Sequence, residues 1–281
     1  MPTKHHNLAM RYPEGKMLAL TLSYDDGIEA DIRLIDIMRK NGLKGTFNLN
    51  SALLAQEKGE SHHHRRLTAE EALALYDGET AEVAIHGAYH PFWTSLPQNV
   101  CQADISSDRQ ALEKLFGRIV RGGAYPYGNY SDMTVECLKS AGIAYCRTTV
   151  STKNFAMPTD WLRMPATCHH SDSALFELAD RFLEAQTGLS KRPLLFYLWG
   201  HSYEFGDNNN WDVIERFAEK MGGRGNIWYA TNIEIFDYAH AYSELLFSSD
   251  MTFVQNPTAT DLFFVLDGKE YAVFAGKTLS L

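Results

Sequence analysis

Residues 21–27 read Thr-Leu-Ser-Tyr-Asp-Asp-Gly and place two adjacent carboxylates, Asp25 and Asp26, where an apolar run stops. Residues 17–24 have the composition of a buried strand, so the acidic pair stands at the carboxyl end of that strand, where α/β folds keep their chemistry. A turn is the simpler explanation, because Asp bonds its own backbone and Gly27 allows a positive φ. The stretch alone leaves both interpretations open.

The composition is that of a folded domain. With 281 residues, of which 45% are hydrophobic, the chain is long enough for one barrel-like domain of about 200 to 250 residues and a small appendage. The formal charge of −9, with Lys and Arg dispersed along the chain, argues against nucleic acid and anionic membranes as partners. The oligomeric state is not predicted.

The cysteines and the amino-terminal residues indicate a compartment. The four cysteines form no CxxC pair and no zinc-finger spacing, so we expect reduced thiols. Residues 1–10 are polar and rich in His, and no run of 18 apolar residues occurs in the chain. We therefore expect a cytoplasmic protein.

Segments with strand character alternate with helical segments along most of the chain. The predicted strands cover residues 17–24, 44–49, 82–85, 118–124, 143–150, 193–199 and 226–230, and residues 153–167 are predicted to be an irregular loop. Seven strands that alternate with helices predict parallel βαβ units closed, or nearly closed, into a barrel. After Ser248 the apolar pattern changes to period 2, with Asp267-Gly268 as a hairpin turn. We predict an α/β (β/α) barrel over residues 1–248 and a small antiparallel β appendage over residues 249–281.

Polar side chains follow the predicted strands. They are Asp25, Asp26, His86, residues 125–128, Asp160, His201 and residues 231–232. In a barrel the carboxyl ends of the strands converge on one face, which holds the active site in characterised enzymes of this architecture. This convergence favours a functional role for the acidic pair over a simple turn.

His86 and His90 stand four positions apart and share one face if the segment turns helically. Two His and one carboxylate are common ligands of a catalytic zinc or another divalent ion. Two ordinary polar residues at a helix start are the alternative, but the acidic pair predicted on the same face favours a metal site. One carboxylate then suffices as a ligand, and the other is free to act as a base.

Four short motifs, in order along the chain, resemble a known family. Residues 23–27 (Ser-Tyr-Asp-Asp-Gly) and 86–90 (His-Gly-Ala-Tyr-His) resemble the first and second motifs of the polysaccharide deacetylases of carbohydrate esterase family four, the chitooligosaccharide deacetylase homology group. Residues 124–128 (Ala-Tyr-Pro-Tyr-Gly) are similar to part of the third motif, and 199–202 (Trp-Gly-His-Ser) to the last. The resemblance covers about residues 16–230 and implies a distorted seven-stranded (β/α) barrel.

The resemblance also implies a chemistry. It implies a metal-dependent hydrolase that removes acetyl groups from an N-acetylated, or less readily an O-acetylated, carbohydrate such as an acetylated oligosaccharide or amino-sugar conjugate. Asp26, His86 and His90 would bind a divalent metal, zinc in the first place, with cobalt, nickel or iron as alternatives.

The remaining roles are carried over in the same way. Asp25 would be the general base and His201 the general acid. Tyr127 would offer its backbone N–H to the oxyanion.

The chain departs from the family pattern in two places. The third motif usually opens with an Arg that pairs with the base, whereas Ala124 stands here; Arg121, Arg147 and Arg163 are the candidates to replace it. The last motif usually reads Leu-x-His, whereas here residues 199 and 200 both separate the leucine from its histidine. These changes fit a variant subgroup with an unusual substrate.

Candidate substrate contacts lie in the same loops. Asp160-Trp161 resembles the Asp-Trp of the family's fourth motif, where the Asp orients the missing Arg and the Trp lines the pocket. Tyr125 and Trp199 complete the candidates, because aromatic residues after strands can form a platform on which sugars stack. Packing in the core is the alternative for such aromatics.

Other histidines receive simpler interpretations. His62, His63 and His64 lie in a polar loop, which is predicted to be solvated. Cys168-His169-His170 is compatible with a second metal site or a Cys-His pair, but adjacent histidines diverge on a strand, so loop residues near the pocket are favoured. Glu204 is either a partner of His201 or solvated.

Two alternative functions remain open. The first is a metal-independent amidohydrolase of a cyclic amide or ureide on the same fold, against which the intact Asp26, His86 and His90 argue. The second is a carbohydrate-binding protein whose catalytic residues have decayed, which Ala124 suggests.

Overall fold

In the computed structural model, which describes residues 6–56, 64–185 and 192–281, strands and helices alternate as predicted. The strands are β1 (Leu8–Arg11), β2 (Leu18–Asp25), β3 (Gly45–Leu49), β4 (Ala81–Ile85), β5 (Gly122–Ala124), β6 (Tyr145–Ser151), β7 (Met164–Ala166), β8 (Cys168–His169), β9 (Leu194–Gly200), β10 (Ile227–Tyr229), β11 (Leu246–Phe247), β12 (Phe253–Gln255), β13 (Leu262–Leu266), β14 (Lys269–Val273) and β15 (Thr278–Ser280). The helices are α1 (Ala30–Lys40), α2 (Ala69–Leu75), α3 (Gln98–Phe116), α4 (Asp132–Ser140), α5 (Leu175–Leu183), α6 (Tyr203–Asp207), α7 (Trp211–Met221) and α8 (Asn232–Ser243).

The parallel sheet closes on itself into a seven-stranded barrel. Its strand order is β7-β6-β5-β4-β3-β2-β9-β8. Only Thr167 separates β7 from β8, so one segment of chain pairs with β6 at one edge and with β9 at the other. The N–H of Thr167 itself donates to the carbonyl of Tyr197 on β9, at 2.8 Å.

The barrel is confirmed, but the segment that closes it differs from the predicted one. The closing segment, residues 164–169, falls largely in the stretch that we predicted to be an irregular loop. The predicted seventh strand is β10, which pairs only with the first residues of β2, Leu18 to Leu20, and lies outside the closed path. The closing segment contains Pro165, and proline is uncommon in strands because it lacks the backbone N–H that pairs with a neighbouring strand. The sequence therefore did not predict a strand there.

Strand β2 alternates between an apolar and a polar face. Leu18, Leu20, Leu22 and Tyr24 belong to the buried cluster between the barrel and its helices. The side chains between them, Thr21, Ser23 and Asp25, are also buried and face the barrel interior. Because of this period-2 alternation, the carboxylate of Asp25 lies in the barrel interior at the carboxyl end of β2.

Polar groups fill much of the barrel interior and bond to one another. Glu82 accepts from Tyr145 Oη at 2.6 Å and from Thr46 Oγ1 at 2.8 Å near the base. Above them, the amide of Asn48 donates to Ser23 Oγ at 2.9 Å. Buried polar groups are tolerated when they are paired in this way, so the interior holds the site residues in fixed positions.

The predicted carboxy-terminal antiparallel strands are confirmed. They form two three-stranded sheets, β1-β13-β14 and β11-β12-β15. Phe264 and Leu266 of β13 share a buried cluster with Ala19 and Tyr145, which stand at the amino ends of barrel strands. The appendage therefore covers the base of the barrel, opposite the predicted site, and recruits the amino-terminal strand β1. The division into two domains at residue 248 stays a prediction.

The cysteines are buried and free, as predicted. Within the described parts of the chain, no helix combines the length and apolar character needed to span a bilayer. His62 and His63 of the predicted solvated loop lie outside the described residues.

Candidate active site

Asp25 is the centre of the polar cluster at the carboxyl end of the barrel. Its side chain is buried. Asn48 donates to its Oδ1 at 2.8 Å, and the Arg147 guanidinium forms an ion pair with its Oδ2. The Nε2 atoms of His86 and His201 lie 3.7 and 3.8 Å from the same Oδ2. Residues from four separate barrel segments thus meet at one carboxylate.

Arg147 takes the place of the arginine that the third motif lacks. Strands β5 and β6 pair with Ala124 directly opposite Arg147, so the guanidinium reaches Asp25 from the neighbouring strand. The other two candidates bond elsewhere: Arg121 pairs with Asp237 at 2.5 Å and Arg163 with Asp160 at 2.7 Å.

The charges around Asp25 determine its protonation. Burial raises the pKa of the Asp25 carboxyl, but the charges of Arg147, His86 and His201 outweigh burial and hold the pKa well below its usual range. The carboxylate is therefore ionised and ready to accept a proton. Its low pKa also makes it a weak base in the absence of other charges at the site.

Asp26, His86 and His90 converge as the predicted metal ligands. The Nε2 atoms of His86 and His90 lie 3.1 Å apart, and Asp26 Oδ1 lies 4.0 Å from His90 Nε2. All three donor atoms fall within 4.8 Å of one another. Burial and the neighbouring His86 lower the pKa of His90 to about 4, so its ring is neutral, as a ligand must be. The donor set fits a zinc-type ion with open positions.

A backbone carbonyl fixes the orientation of the His86 ring. Its Nδ1 lies 2.9 Å from the carbonyl oxygen of Ala124, so the Nδ1–H donates there and the Nε2 lone pair faces the other ligands. Metal-binding histidines are usually fixed by such a bond. Ala124 thus supports the site through its backbone, although its side chain cannot.

Three of the predicted site residues have an uncommon backbone conformation. Asp26, His90 and Tyr127 have φ angles of 86°, 53° and 58°. Non-glycine residues adopt this left-handed region at a cost, and such residues cluster at functional sites. The turn at residues 126–128 that carries Tyr127 is closed by a bond from Gly128 N–H to the Tyr125 carbonyl at 2.8 Å.

The structure adds supporting residues that the sequence did not indicate. Arg66 contacts both the backbone carbonyl and the carboxylate of Asp26, and it donates to Asn50 Oδ1 at 2.9 Å. Asp108, buried on α3, accepts the backbone N–H of His86 at 3.1 Å. No motif marks these residues, because each acts through a contact that is remote in sequence.

His201 lies beside the base and is paired on its other side. Its Nδ1 lies 3.4 Å from Glu204 Oε1. Burial lowers the pKa of His201, but Glu204, Asp25 and Asp26 raise it above the usual value overall. A raised pKa favours the protonated ring, which the predicted role as general acid requires.

Three of the four predicted substrate contacts have other partners in the structure, and their role toward a substrate stays a prediction. Tyr125 is only 1% exposed and donates its hydroxyl to the Leu162 carbonyl at 2.7 Å, so its side chain is unavailable to a substrate. Asp160 pairs with Arg163 instead of the arginine that contacts the base. Trp161 packs on Phe236 of α8, with ring centroids 5.3 Å apart.

The fourth of these residues, Trp199, has a supporting position. Its side chain is 8% exposed, and the Arg147 guanidinium lies 4.4 Å from its ring centroid. This cation–π contact orients the arginine that pairs with Asp25. Trp199 therefore supports Asp25 indirectly, through Arg147.

Two exposed aromatic side chains, Phe92 and Tyr127, lie near His90. The rings of Phe92 and Tyr127 stack at 3.7 Å between centroids and 7° between planes, and the Tyr127 ring packs on His90 at 4.4 Å. Phe92 and Tyr127 are 45% and 53% exposed. They form a flat apolar surface directly beside the candidate metal ligands.

Asp31 ties the segment that carries His201 to helix α1 and yields a pH prediction. It is buried and accepts from Ser202 Oγ and from Tyr76 Oη, the latter at 2.6 Å. Burial raises its pKa from 3.8 to about 7, despite the opposing effect of these two hydrogen bonds. Between those two values the folded state holds a proton that the unfolded state releases, so Asp31 lowers stability as the pH rises through this range.

We expect Asp31→Asn to remove this contribution. The free energy of unfolding of the variant, minus that of the wild type, should increase between pH 4 and pH 7 and then level off, as measured by urea unfolding at each pH. Other titrating groups cancel in the difference. Parallel pH profiles for the two proteins would contradict the assignment.

Comparisons with known proteins agree with this geometry. Residues 10–146 match the polysaccharide deacetylase family. A protein from Mycobacterium smegmatis that bears the name polysaccharide deacetylase has a similar structure, with a TM-score of 0.60 at 17% identity over 84% of this chain and 94% of its own. A family 4 carbohydrate esterase from Streptomyces lividans, solved in complex with acetate, has a TM-score of 0.50 at 17% identity over 76% of this chain and 93% of its own.

A third structure matches in part. The Streptococcus pyogenes deacetylase PplD, in complex with acetate, aligns over 46% of this chain and 55% of its own, at 21% identity and a TM-score of 0.41. A search of the curated proteins finds no match. At these identities the structural likeness shows the fold. The sequence match to the polysaccharide deacetylase family covers residues 10–146, just under half of this chain.

Proposed function

We propose that this protein is a metal-dependent deacetylase that removes acetyl groups from an N-acetylated, or less readily an O-acetylated, carbohydrate. The observation that carries the proposal is the buried Asp25–Arg147 pair, which adjoins the Asp26, His86 and His90 donor set. A chain that had lost catalysis would have no need to keep a buried charge paired at this point, since buried charges are costly. The replacement of the missing arginine by Arg147 thus favours an enzyme over a decayed binding protein.

The residues present supply each part of a hydrolytic mechanism. Asp26, His86 and His90 would hold a divalent ion, zinc in the first place and cobalt, nickel or iron as alternatives. Such an ion, when bound, lowers the pKa of water toward neutrality and polarises the acetyl carbonyl. Asp25, kept ionised by Arg147, accepts the proton of the attacking water.

Two further groups complete the reaction. The backbone N–H of Tyr127 stabilises the negative charge that develops on the carbonyl oxygen, a contribution of about 3 kcal/mol for one donor. His201 gives its Nε2 proton to the departing amine or alcohol. The stacked rings of Phe92 and Tyr127 offer a face for a sugar ring beside this chemistry.

The substrate class is tested by acetate release. Purified protein loaded with one equivalent of zinc is incubated with N-acetylated chitooligosaccharides, N-acetylated amino-sugar conjugates and O-acetylated sugars. We expect acetate from an N-acetylated substrate. No acetate from any of them, by a protein that holds zinc, would leave the binding-protein alternative.

The metal ligands are tested by stoichiometry. We expect His86→Ala to lower the bound zinc by one equivalent relative to the wild type, because His86 is the most buried of the three donors. Elemental analysis after dialysis against zinc gives the content. His240→Ala, which changes an exposed histidine on α8, is the matched control and should leave the content unchanged. An equal zinc content in wild type and His86→Ala would rule out this ligand set.

A further inference from the structure

Three imidazoles converge on one carboxylate beside the candidate active site. The Nε2 atoms of His169 and His170 lie 3.2 and 3.0 Å from Glu204 Oε2. On the other oxygen, Glu204 Oε1 lies 3.4 Å from Nδ1 of His201. The sequence interpretation, in which adjacent histidines diverge, is wrong here, because His169 ends β8 and His170 follows it into a turn.

The His169–Glu204 and His201–Glu204 distances are those of neighbouring ligands in a coordination shell. Donor atoms bound at about 2.0–2.1 Å in a tetrahedral site lie about 3.3–3.4 Å apart. One donor atom each from His169, His201 and Glu204 falls within 4.8 Å of the other two. In addition, the buried Nδ1 of His201 has no hydrogen-bond partner of good geometry among the described residues. This nitrogen thus faces a carboxylate oxygen at 3.4 Å without a well-formed hydrogen bond, an arrangement that an ion between the two atoms would explain.

His170 contacts the Glu204 carboxylate and holds it in place. It is buried, and the bond from its Nε2 fixes the Glu204 carboxylate. A side chain at position 200 would prevent this, since a Cβ on Gly200 would come within 2.1 Å of His170 Nδ1. Partners that orient ligating carboxylates are typical of metal centres.

We propose that His169, His201 and Glu204 form a second site for a divalent zinc-type ion, distinct from that of Asp26, His86 and His90. Two histidines and one carboxylate are a ligand set that zinc prefers. The second site fills after the first, because its side chains are all partly exposed, whereas His86 is buried and fixed by the Ala124 carbonyl. Less preorganised ligands bind less tightly.

Occupancy of the second site inhibits the reaction, a consequence that rests on the proposed function. His201 acts as an acid when both ring nitrogens carry protons; the Nε2–H bond breaks, the proton goes to the departing amine, and a neutral imidazole remains. An ion on Nδ1 takes the position of the second proton. Loss of the Nε2 proton would then leave an imidazolate, so the ring is too weak an acid to protonate the leaving group.

Zinc titration of the chelator-treated full chain, followed by calorimetry, tests the site. We expect two equivalents for the wild type, one for His169→Ala, one for His86→Ala and none for the double variant. His240→Ala is the control and should bind two. The proposal fails if the wild type saturates at one equivalent, or if His169→Ala binds as much zinc as the wild type.

Acetate release provides the second readout. For the wild type and for His240→Ala, the rate at two equivalents of zinc should be at least tenfold lower than the rate at one equivalent. For His169→Ala, the two rates should be nearly equal. Two bound equivalents in the wild type without this fall in rate would overturn the inhibitory role. If no acetate is released at any zinc level, the proposed function fails, and the stoichiometry still decides whether the second site exists.

Discussion

Asp25→Asn is expected to lower the rate of acetate release by about 10²–10⁴-fold, because positioned general bases typically contribute this much. Asparagine keeps the shape of the side chain and the neighbourhood of Asn48, but it cannot take a proton from water. Asp25 is not among the proposed metal ligands. The variant should therefore bind as many zinc equivalents as the wild type.

The comparison needs a matched substitution. Asp36→Asn makes the same chemical change on the exposed face of α1, where Asp36 pairs with Lys40, and should leave the rate unchanged. Circular dichroism and zinc content show whether each variant is folded and loaded. A folded, zinc-loaded Asp25→Asn protein that keeps a rate close to that of the wild type would exclude Asp25 as the base.

Arg147→Met is expected to lower the free energy of unfolding by about 3–5 kcal/mol. The substitution keeps much of the side-chain volume but leaves the Asp25 carboxylate buried without its partner, and an uncompensated buried charge has a cost of this size. Both side chains of the ion pair are nearly inaccessible, with 1% and 4% exposure. Urea unfolding measures the difference.

Two further variants separate the effect of the buried charge from that of packing. Arg121→Met removes an exposed pair with Asp237 and should change stability by less than about 1 kcal/mol. In the Asp25→Asn/Arg147→Met double variant neither position carries a charge, so the loss should be much smaller than for Arg147→Met alone. Equal losses in the single and double variants would show that packing, and not charge, explains the effect.

The sequence identified the residues that stand at strand ends. Asp25, Asp26, His86 and His201 follow strands with clear apolar patterns, and parallel strands in a barrel bring such positions together whatever their separation in sequence. The barrel itself was predictable for the same reason. The strand formed by residues 164–169 was missed because it is short and contains Pro165.

Arg147 could only be identified as one of three candidates. Its choice depends on the register between β5 and β6, which places it opposite Ala124. A shift by one residue would turn its side chain away from the interior. Sequence patterns fix such a register weakly when a strand is as short as Gly122–Ala124.

The positions of the predicted substrate contacts were hard to foresee for a related reason. Tyr125 and Trp199 were chosen because aromatic residues follow strands, but burial decides whether such a ring faces a substrate or the core. The exposed pair, Phe92 and Tyr127, comes together from two loops. Loop conformation has no periodic signal in sequence, and the same holds for the three histidines around Glu204.

The central claim is that acetyl groups are removed at a metal site built from Asp26, His86 and His90 beside Asp25. The most direct test is acetate release by chelator-treated protein as zinc is added back in fractions of one equivalent. We predict no acetate without zinc and a rate that rises in proportion to zinc up to the first equivalent. Acetate release that is equally fast without metal, or absent at every zinc level, would contradict the account.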